Sequence, residues 1–261
     1  MTASSQSARC GPGQRFRMLD VMRSGSPRQL SHGRTTTWDT TGVLLPESIA
    51  RGRVDLAAVF GNDRPVEVEV GTGKGTFLLA RAAGRPELNF LGIEWANAYC
   101  HYAADRFRRA GLENARMLRA DAGSFLRTCL PDQSIWRLHV YFPDPWPKRR
   151  HHRRRLIQPS FVADAWRLLR PGGQLLIVTD HRDYFEHIRR VLDGARGLAH
   201  IGFPKLGGDD NTLVGTNFER KYIAQRRPFY WAARLRYAGR SRLFGRSGSL
   251  QTRPCAPAGL L

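Results

Sequence analysis

Val66-Glu67-Val68-Glu69-Val70-Gly71-Thr72-Gly73-Lys74-Gly75 runs from five strand-favouring residues into a turn with three glycines in five positions. Alternating valines read as a strand. The glycines permit a tight turn and a close approach of backbone to a ligand. Residues 75–83 then read as a helix, and the alternation continues outward from there. Strands are expected at 89–95, 115–121, 137–142 and 175–179. Helices are expected at 97–110, around 123–129, at 156–169 (ended by Pro171-Gly172-Gly173) and at 183–192. Two further strands are expected near 199–203 and 229–235. This order predicts an α/β fold with a doubly wound, mostly parallel sheet, forming a single domain over 38–239. Residues 1–37 and 240–261 read as flexible basic tails. Ligands of such sheets bind outside the carboxyl ends of the strands, at the point where strand order reverses.

The ends of the first three strands carry the residues such a ligand needs. Glu69, Gly71 and Gly73 close the first, Glu94 the second and Asp121 the third. An acidic residue roughly 20 positions past the glycine turn can accept ribose hydroxyls, and Asp121 is placed to face an adenine. A phosphate-binding P-loop is excluded, because Lys74 is followed by Gly75 and Val68 stands where the first glycine belongs. A dinucleotide turn is disfavoured, because Thr76 stands where its third glycine belongs. The tighter spacing suits a ligand without a pyrophosphate. S-adenosylmethionine, with ribose, adenine and a methionine tail, is the cofactor favoured.

A second segment carries the chemistry. Tyr141-Phe142-Pro143-Asp144-Pro145-Trp146-Pro147-Lys148 follows an apolar run and leads into Arg149-Arg150-His151-His152-Arg153-Arg154-Arg155. Three prolines in five residues can neither continue the strand nor open a helix. Asp144 is therefore expected on a stiff turn beside an aromatic ring, followed by six Lys or Arg within residues 148–155. A fixed carboxylate, a stacking surface and a polyanion-binding strip suggest chemistry on a nucleic-acid base. The blander alternative is a proline turn followed by a solvated basic loop.

Charge distribution favours the nucleic-acid reading. The 261 residues carry a net charge of +20. Residues 1–40 hold six arginines against Asp20 and Asp39, residues 148–155 hold six basic residues, and residues 220–261 hold ten with no acid. The rest is neutral overall, as expected of a core with a polyanion footprint. Cys10, Cys100, Cys129 and Cys255 form no CxxC pair, which suits a reducing, cytoplasmic compartment and offers no structural metal site. No secretory h-region and no membrane-length apolar run is apparent. Nothing in the sequence chooses between a monomer and a homodimer.

With both motifs in view, the chain resembles the bacterial tRNA (guanine-N7-)-methyltransferase family. The resemblance rests on Glu69-Val-Gly-Thr-Gly-Lys-Gly-Thr-Phe-Leu78, Asn89-Phe-Leu-Gly-Ile-Glu94, Asp121-Ala122 and Phe142-Pro-Asp-Pro-Trp-Pro-Lys148. It continues through His151-His152, Arg154-Arg155, Pro171-Gly-Gly173, Thr179-Asp180 and Thr216-Asn-Phe-Glu219. The Phe-Pro-Asp-Pro-Trp-Pro-Lys string is highly specific, whereas the glycine turn is generic to many methyltransferases. The resemblance implies a Rossmann-like class I methyltransferase fold, S-adenosylmethionine as donor and tRNA as partner. It implies a variable-loop guanosine, at position 46 of the tRNA, as target. It further implies that Glu69, Glu94, Asp121 and Asp144 contact the cofactor, with Asp144 the active-site residue. Lys148, Asp180, Thr216, Asn217, Phe218 and Glu219 would contact the substrate, and Arg150, His151, His152, Arg153, Arg154 and Arg155 the RNA. Thr72 and Lys74 depart from the family's usual loop. N-terminal similarity is confined to Gly33-Arg34-Thr35, and the segment past residue 239 is extra.

Some roles stay open. Trp146 either stacks on an extruded base or packs under the turn. Asp180 is also in place to cap the next helix. Thr216 and Glu219 are also the two ends of a capping box. The competing functions are a methyltransferase for another substrate and a non-catalytic RNA-binding relative.

Overall fold

The structure, a computed structural model, describes residues 37–207 and 211–237. Of the two tails expected from the sequence, 1–37 and 240–261, all but residue 37 lies outside the described residues.

Among the described residues seven strands form one sheet: β1 (Val66–Val70), β2 (Asn89–Glu94), β3 (Ala115–Arg119), β4 (Ile135–Tyr141), β5 (Leu169–Thr179), β6 (Leu198–His200) and β7 (Tyr230–Arg236). Their order is β3-β2-β1-β4-β5-β7-β6. The pairings from β3 through β5 are parallel, while β7 runs antiparallel between β5 and β6. Helices α1 (Leu56–Phe60), α2 (Thr76–Gly84), α3 (Asn97–Arg109), α4 (Ala122–Thr128), α5 (Pro159–Leu168), α6 (Arg182–Asp193) and α7 (Asn217–Ala224) cover the sheet. The doubly wound architecture expected from the sequence is the one observed.

All five residues of β1 are buried, which its central place in a parallel sheet requires. Val66, Val68 and Val70 enter one core layer with Leu126, Phe161 and Ile188. On the opposite face α2 and α3 bury Phe77, Leu78, Ala103 and Phe107. Chain order reverses between β1 and β4, so the glycine turn after β1 and the proline turn after β4 emerge side by side.

Two expectations are corrected. Pro171-Gly172-Gly173 does not end a helix but lies inside β5, which starts at Leu169. Ile135 pairs with Leu169 and Arg137 with Gln174, so residues 170–173 bulge opposite Trp136. Gly172 takes φ 80° there, and a Cβ on Gly173 would sit 2.8 Å from the Arg170 carbonyl. Helix α5 starts at Pro159, not at residue 156. A proline is well placed in a first turn and holds the residue before it, Gln158, extended. The α1 helix, capped by Asp55 and stopped at Gly61 with φ 71°, was not foreseen.

Candidate active site

The turn after β1 is built from left-handed glycines: Gly71, Gly73 and Gly75 have φ of 72°, 55° and 71°. They do different things. A Cβ on Gly71 would meet nothing within 4 Å, and one on Gly73 only the Gly71 carbonyl at 4.0 Å, so bare backbone faces open space. A Cβ on Gly75 would sit 2.8 Å from the Phe107 ring, so this glycine lets α2 pack against α3. Glu94, at the end of β2, ties the turn in place. Its Oε2 accepts the Gly73 N–H at 2.8 Å and its Oε1 the Ala96 N–H at 2.9 Å. Each oxygen keeps a lone pair for a further donor. Trp95, beside it, is 68% exposed, a candidate aromatic surface that the motif reading passed over. Asp121 is exposed and caps α4 by accepting the Ser124 N–H at 2.7 Å.

Glu69 lies beneath the turn. It is buried, and its Oε2 has no hydrogen-bond partner. Burial, helped by the nearby Glu94 charge, pushes its carboxyl well above the usual range. A buried acceptor with no donor is costly unless something completes it. The methionine ammonium of S-adenosylmethionine is a donor of the right charge. Glu69, the bare backbone at Gly71 and Gly73, Glu94 and Asp121 therefore fit that cofactor.

The turn after β4 stands alongside. Phe142 and Trp146 both take positive φ, 52° and 42°, which few non-glycine residues adopt. Such backbone is kept where surroundings over-determine it, and it clusters at functional sites. Asp144 is exposed between them and makes no hydrogen bond among the described residues. Trp146 is half-buried, edge-on to His151 (centroids 5.8 Å apart) with the Arg154 guanidinium carbon 5.1 Å from its ring centre. It packs within the turn and its basic strip. That strip forms a short 3-10 helix, Arg149–Arg154. Lys148, Arg149, Arg150, Arg153 and Arg154 are exposed, and His151 and His152 half-exposed. Arg155 departs from the strip, because its side chain is buried against the turn.

A third wall comes from the segment before β7. Asn217 donates to Thr76 Oγ1 at 3.0 Å and pins the start of α7 to the start of α2. Phe218, 55% exposed, stands with its ring 5.8 Å from that of Phe142, over the base of the Asp144 turn. Asp180 is half-buried and lies 3.5 Å from Arg227. It does not provide the cap of α6, which is His181 accepting from the Tyr184 N–H. The Glu219 N–H donates to Thr216 Oγ1 at 3.1 Å, so Thr216 is an N-cap. Glu219 is fully buried and accepts the N–H groups of Leu213 (2.5 Å), Val214 (3.0 Å) and Gly215 (2.7 Å). The Glu219 carboxylate, expected to meet the guanine, is here taken up by these three N–H groups and shapes the loop that carries Thr216 to Phe218.

One buried cluster went unread in the sequence. Glu67 accepts from Arg81 at 2.8 and 2.9 Å, from Arg137 at 2.9 Å and from His139 Nε2 at 3.1 Å. Burial works to raise its carboxyl, but the hydrogen bonds from His139 and Arg81 prevail and hold it far below the usual range. Burial, opposed by Glu67, lowers the His139 imidazole. An ionised Glu67 makes Nε2 the donor, leaving Nδ1 to accept the Tyr141 hydroxyl at 2.7 Å. The signal was present in the glutamates at alternate positions of β1, where a two-sided core admits a charge only if it is paired.

Among the described residues no cluster of His, Cys, Asp and Glu could hold a metal ion, and no helix is long and apolar enough to cross a membrane. Comparison with known proteins matches residues 63–232 to a family model described as "Putative methyltransferase". A tRNA (guanine-N(7)-)-methyltransferase of Alcanivorax borkumensis is 37% identical over 202 residues, covering 77% of this chain and 83% of that protein. One of Chromohalobacter salexigens is 40% identical over 186 residues, covering 71% and 74%. Among solved structures, the 16S rRNA methyltransferase KamB superposes with a TM-score of 0.51 at 16% identity, over 71% of this chain and 94% of that one. That likeness concerns the fold.

Proposed function

The chain belongs to the tRNA (guanine-N(7)-)-methyltransferase family, and from that membership we propose that it methylates N7 of the variable-loop guanosine of tRNA, with Asp144 as catalytic residue. The observation that carries the site reading is the adjacency of the two turns. The strand reversal brings the end of β1, with Glu69, Gly71 and Gly73, alongside the end of β4, with Asp144, and the exposed Phe218 ring stands 5.8 Å from Phe142 at the base of the Asp144 turn, which supports reading the two turns as one site.

When bound, S-adenosylmethionine would supply an electrophilic sulfonium methyl, its S–CH3 bond breaking as the bonding pair returns to sulfur and S-adenosylhomocysteine leaves. Guanine N7 is an acceptor with a free lone pair, so it attacks without losing a proton and no general base is needed. The purine becomes cationic, and a carboxylate fixed near it stabilises that charge as it develops. Asp144, exposed on a proline-stiffened turn, suits this task. Glu69 and Glu94 would hold its methionine ammonium and ribose, and Asp121 would lie toward its adenine. Phe218 offers a stacking face for an extruded base. Lys148 and Asp180 flank the turn for O6, phosphate or Watson–Crick donors. Arg150, His151, His152, Arg153 and Arg154 grip the surrounding phosphates. Thr216 and Glu219 act through the loop they organise. We place the enzyme with its tRNA substrate in the cytoplasm.

Nucleoside mass spectrometry of a tRNA transcript incubated with enzyme and S-adenosylmethionine tests this reading. Formation of 7-methylguanosine, abolished when the variable-loop guanosine is replaced, is the expected result. A different methylated nucleoside, or none, would overturn it.

A further inference from the structure

Arg155 ends the basic strip of the sequence, yet its side chain is only 1% exposed. Its Nε donates to the Pro145 carbonyl at 2.8 Å and its Nη2 to Asp183 Oδ2 at 2.5 Å. Its guanidinium carbon lies 4.9 Å from the centre of the buried Tyr184 ring, and the Tyr184 hydroxyl accepts the Ile157 N–H at 3.1 Å. Pro145 is the residue after Asp144. Asp183 and Tyr184 lie in the first turn of α6, just beyond Asp180 at the end of β5. One guanidinium thus spans from the Asp144 turn to the helix that follows the neighbouring strand.

Asp144 makes no side-chain hydrogen bond among the described residues, so its carboxylate is aimed by its backbone. Pro143, Pro145 and Pro147 have no N–H, which removes most of the main-chain donors that would close a turn. The carbonyls remain. The side chains that donate to them are Arg155 on Pro145 and, at 3.4 Å and in an exposed place, His152 on Pro147. A planar guanidinium with both arms engaged is a rigid connector. A buried charge of this kind is tolerated only because it is paired. The hydrogen bond from Arg155 also holds the exposed Asp183 carboxyl below its ordinary range.

We infer that Arg155 is a positioning residue for methyl transfer: it clamps the Pro145 carbonyl to α6 and so aims Asp144, rather than binding a tRNA phosphate. The inference rests on the reading of Asp144 as the catalytic carboxylate. Misplacing a reacting group by about 1 Å can lower a rate by roughly 100-fold, so loosening the clamp should appear in the chemical step.

The test compares the full-length wild type with R155A, R155K, D183N and the exposed-strip variant R153E. Single-turnover methylation of a tRNA transcript is measured alongside tRNA affinity across a salt titration. R155A should transfer methyl about 30- to 100-fold more slowly while its tRNA affinity and salt slope stay at the wild-type values. R155K, which reaches one acceptor where arginine reaches two, and D183N, which weakens the far end, should show smaller losses of the same kind. R153E should lose tRNA affinity and salt slope. Added guanidinium ion should restore part of the R155A rate and none of the R153E affinity. The inference fails if R155A behaves like R153E, with weakened affinity, a reduced slope and a preserved rate at saturation. It fails equally if R155K and D183N both turn over at the wild-type rate, and those two carry the test should R155A not fold. A wild type that forms no 7-methylguanosine would instead refute the functional reading itself.

Discussion

The Gly73 N–H donates to Glu94 Oε2 at 2.8 Å, joining the glycine turn after β1 to the end of β2. Glu94 thus shapes the turn and, in the proposed site, would also receive the donor's ribose. Glu94→Ala should weaken S-adenosylmethionine binding by roughly 10- to 100-fold, the scale of a lost charge-assisted hydrogen bond. Affinity for tRNA should be little changed. Calorimetry with each ligand checks this, and an unaltered donor affinity would remove Glu94 from the cofactor site.

Asp144→Ala should slow methyl transfer by about 100- to 1000-fold, the usual effect of losing one electrostatic partner of a transition state. Donor binding should persist, because Glu69, Glu94 and the glycine turn are untouched. Single-turnover kinetics with saturating donor decides it. A rate near wild type would mean that the cationic purine is stabilised elsewhere.

Glu69 makes a pH prediction whose sign follows from burial. Its folded-state carboxyl is raised, so the folded chain holds the proton more tightly than the unfolded one. As pH rises above about 4.3, the unfolded carboxyl ionises first and the folded protein loses stability relative to it. Glu69→Gln should therefore stabilise the donor-free protein at neutral pH. The gap from wild type should grow as pH rises from near 4 toward 7 and close below that range. Urea melts at several pH values measure it. The same variant should bind S-adenosylmethionine more weakly, so a stabilised variant with intact donor affinity would contradict the site reading.

Arg150 and Arg153 are both exposed on the 3-10 helix and free of the clamp made by Arg155. Reversing both to glutamate should reduce the log–log salt slope of tRNA binding by roughly 1.4–1.8, at about 0.7–0.9 for each lost phosphate contact. Donor affinity should not move. A salt titration with the wild-type slope would show that the helix is only a solvated face.

Glu219→Ala should be more disruptive than Thr216→Ala. Losing the N-cap hydroxyl costs about 1 kcal/mol. Removing the Glu219 carboxylate strips three backbone N–H groups of their acceptor, at about 1–3 kcal/mol for each group left buried. Chemical denaturation ranks the two. Equal effects would mean that the Leu213 to Gly215 loop does not depend on Glu219.

Local chemistry in the chain was enough to place the sheet and the turns after β1 and β4. Alternating valines and a glycine turn located β1, and three prolines after an apolar run located the Asp144 turn. A strand–helix alternation admits few topologies, which put the two side by side at the strand reversal. What the sequence could not carry was direction. Arg153 and Arg155 are two positions apart in one run of arginines, yet one faces solvent and the other is buried against Pro145 and Asp183. That difference is set by a helix nearly thirty residues downstream. Pro171-Gly172-Gly173 looked like a helix stop, and lies instead in a bulge of β5 opposite Trp136 of β4. Thr216 and Glu219 satisfied a substrate motif and a capping box equally well. The fold makes Thr216 an N-cap but turns the Glu219 carboxylate to the N–H groups of Leu213, Val214 and Gly215 instead of that of Thr216, a convergence that exists only in three dimensions. Glu67, a charge in the middle of a buried strand, is tolerated because Arg81, Arg137 and His139 arrive from two other elements to satisfy it. Residue type and spacing determined which groups were present and on which element. Long-range packing decided which were buried and which were left exposed, because burial and partnership are properties of distant neighbours.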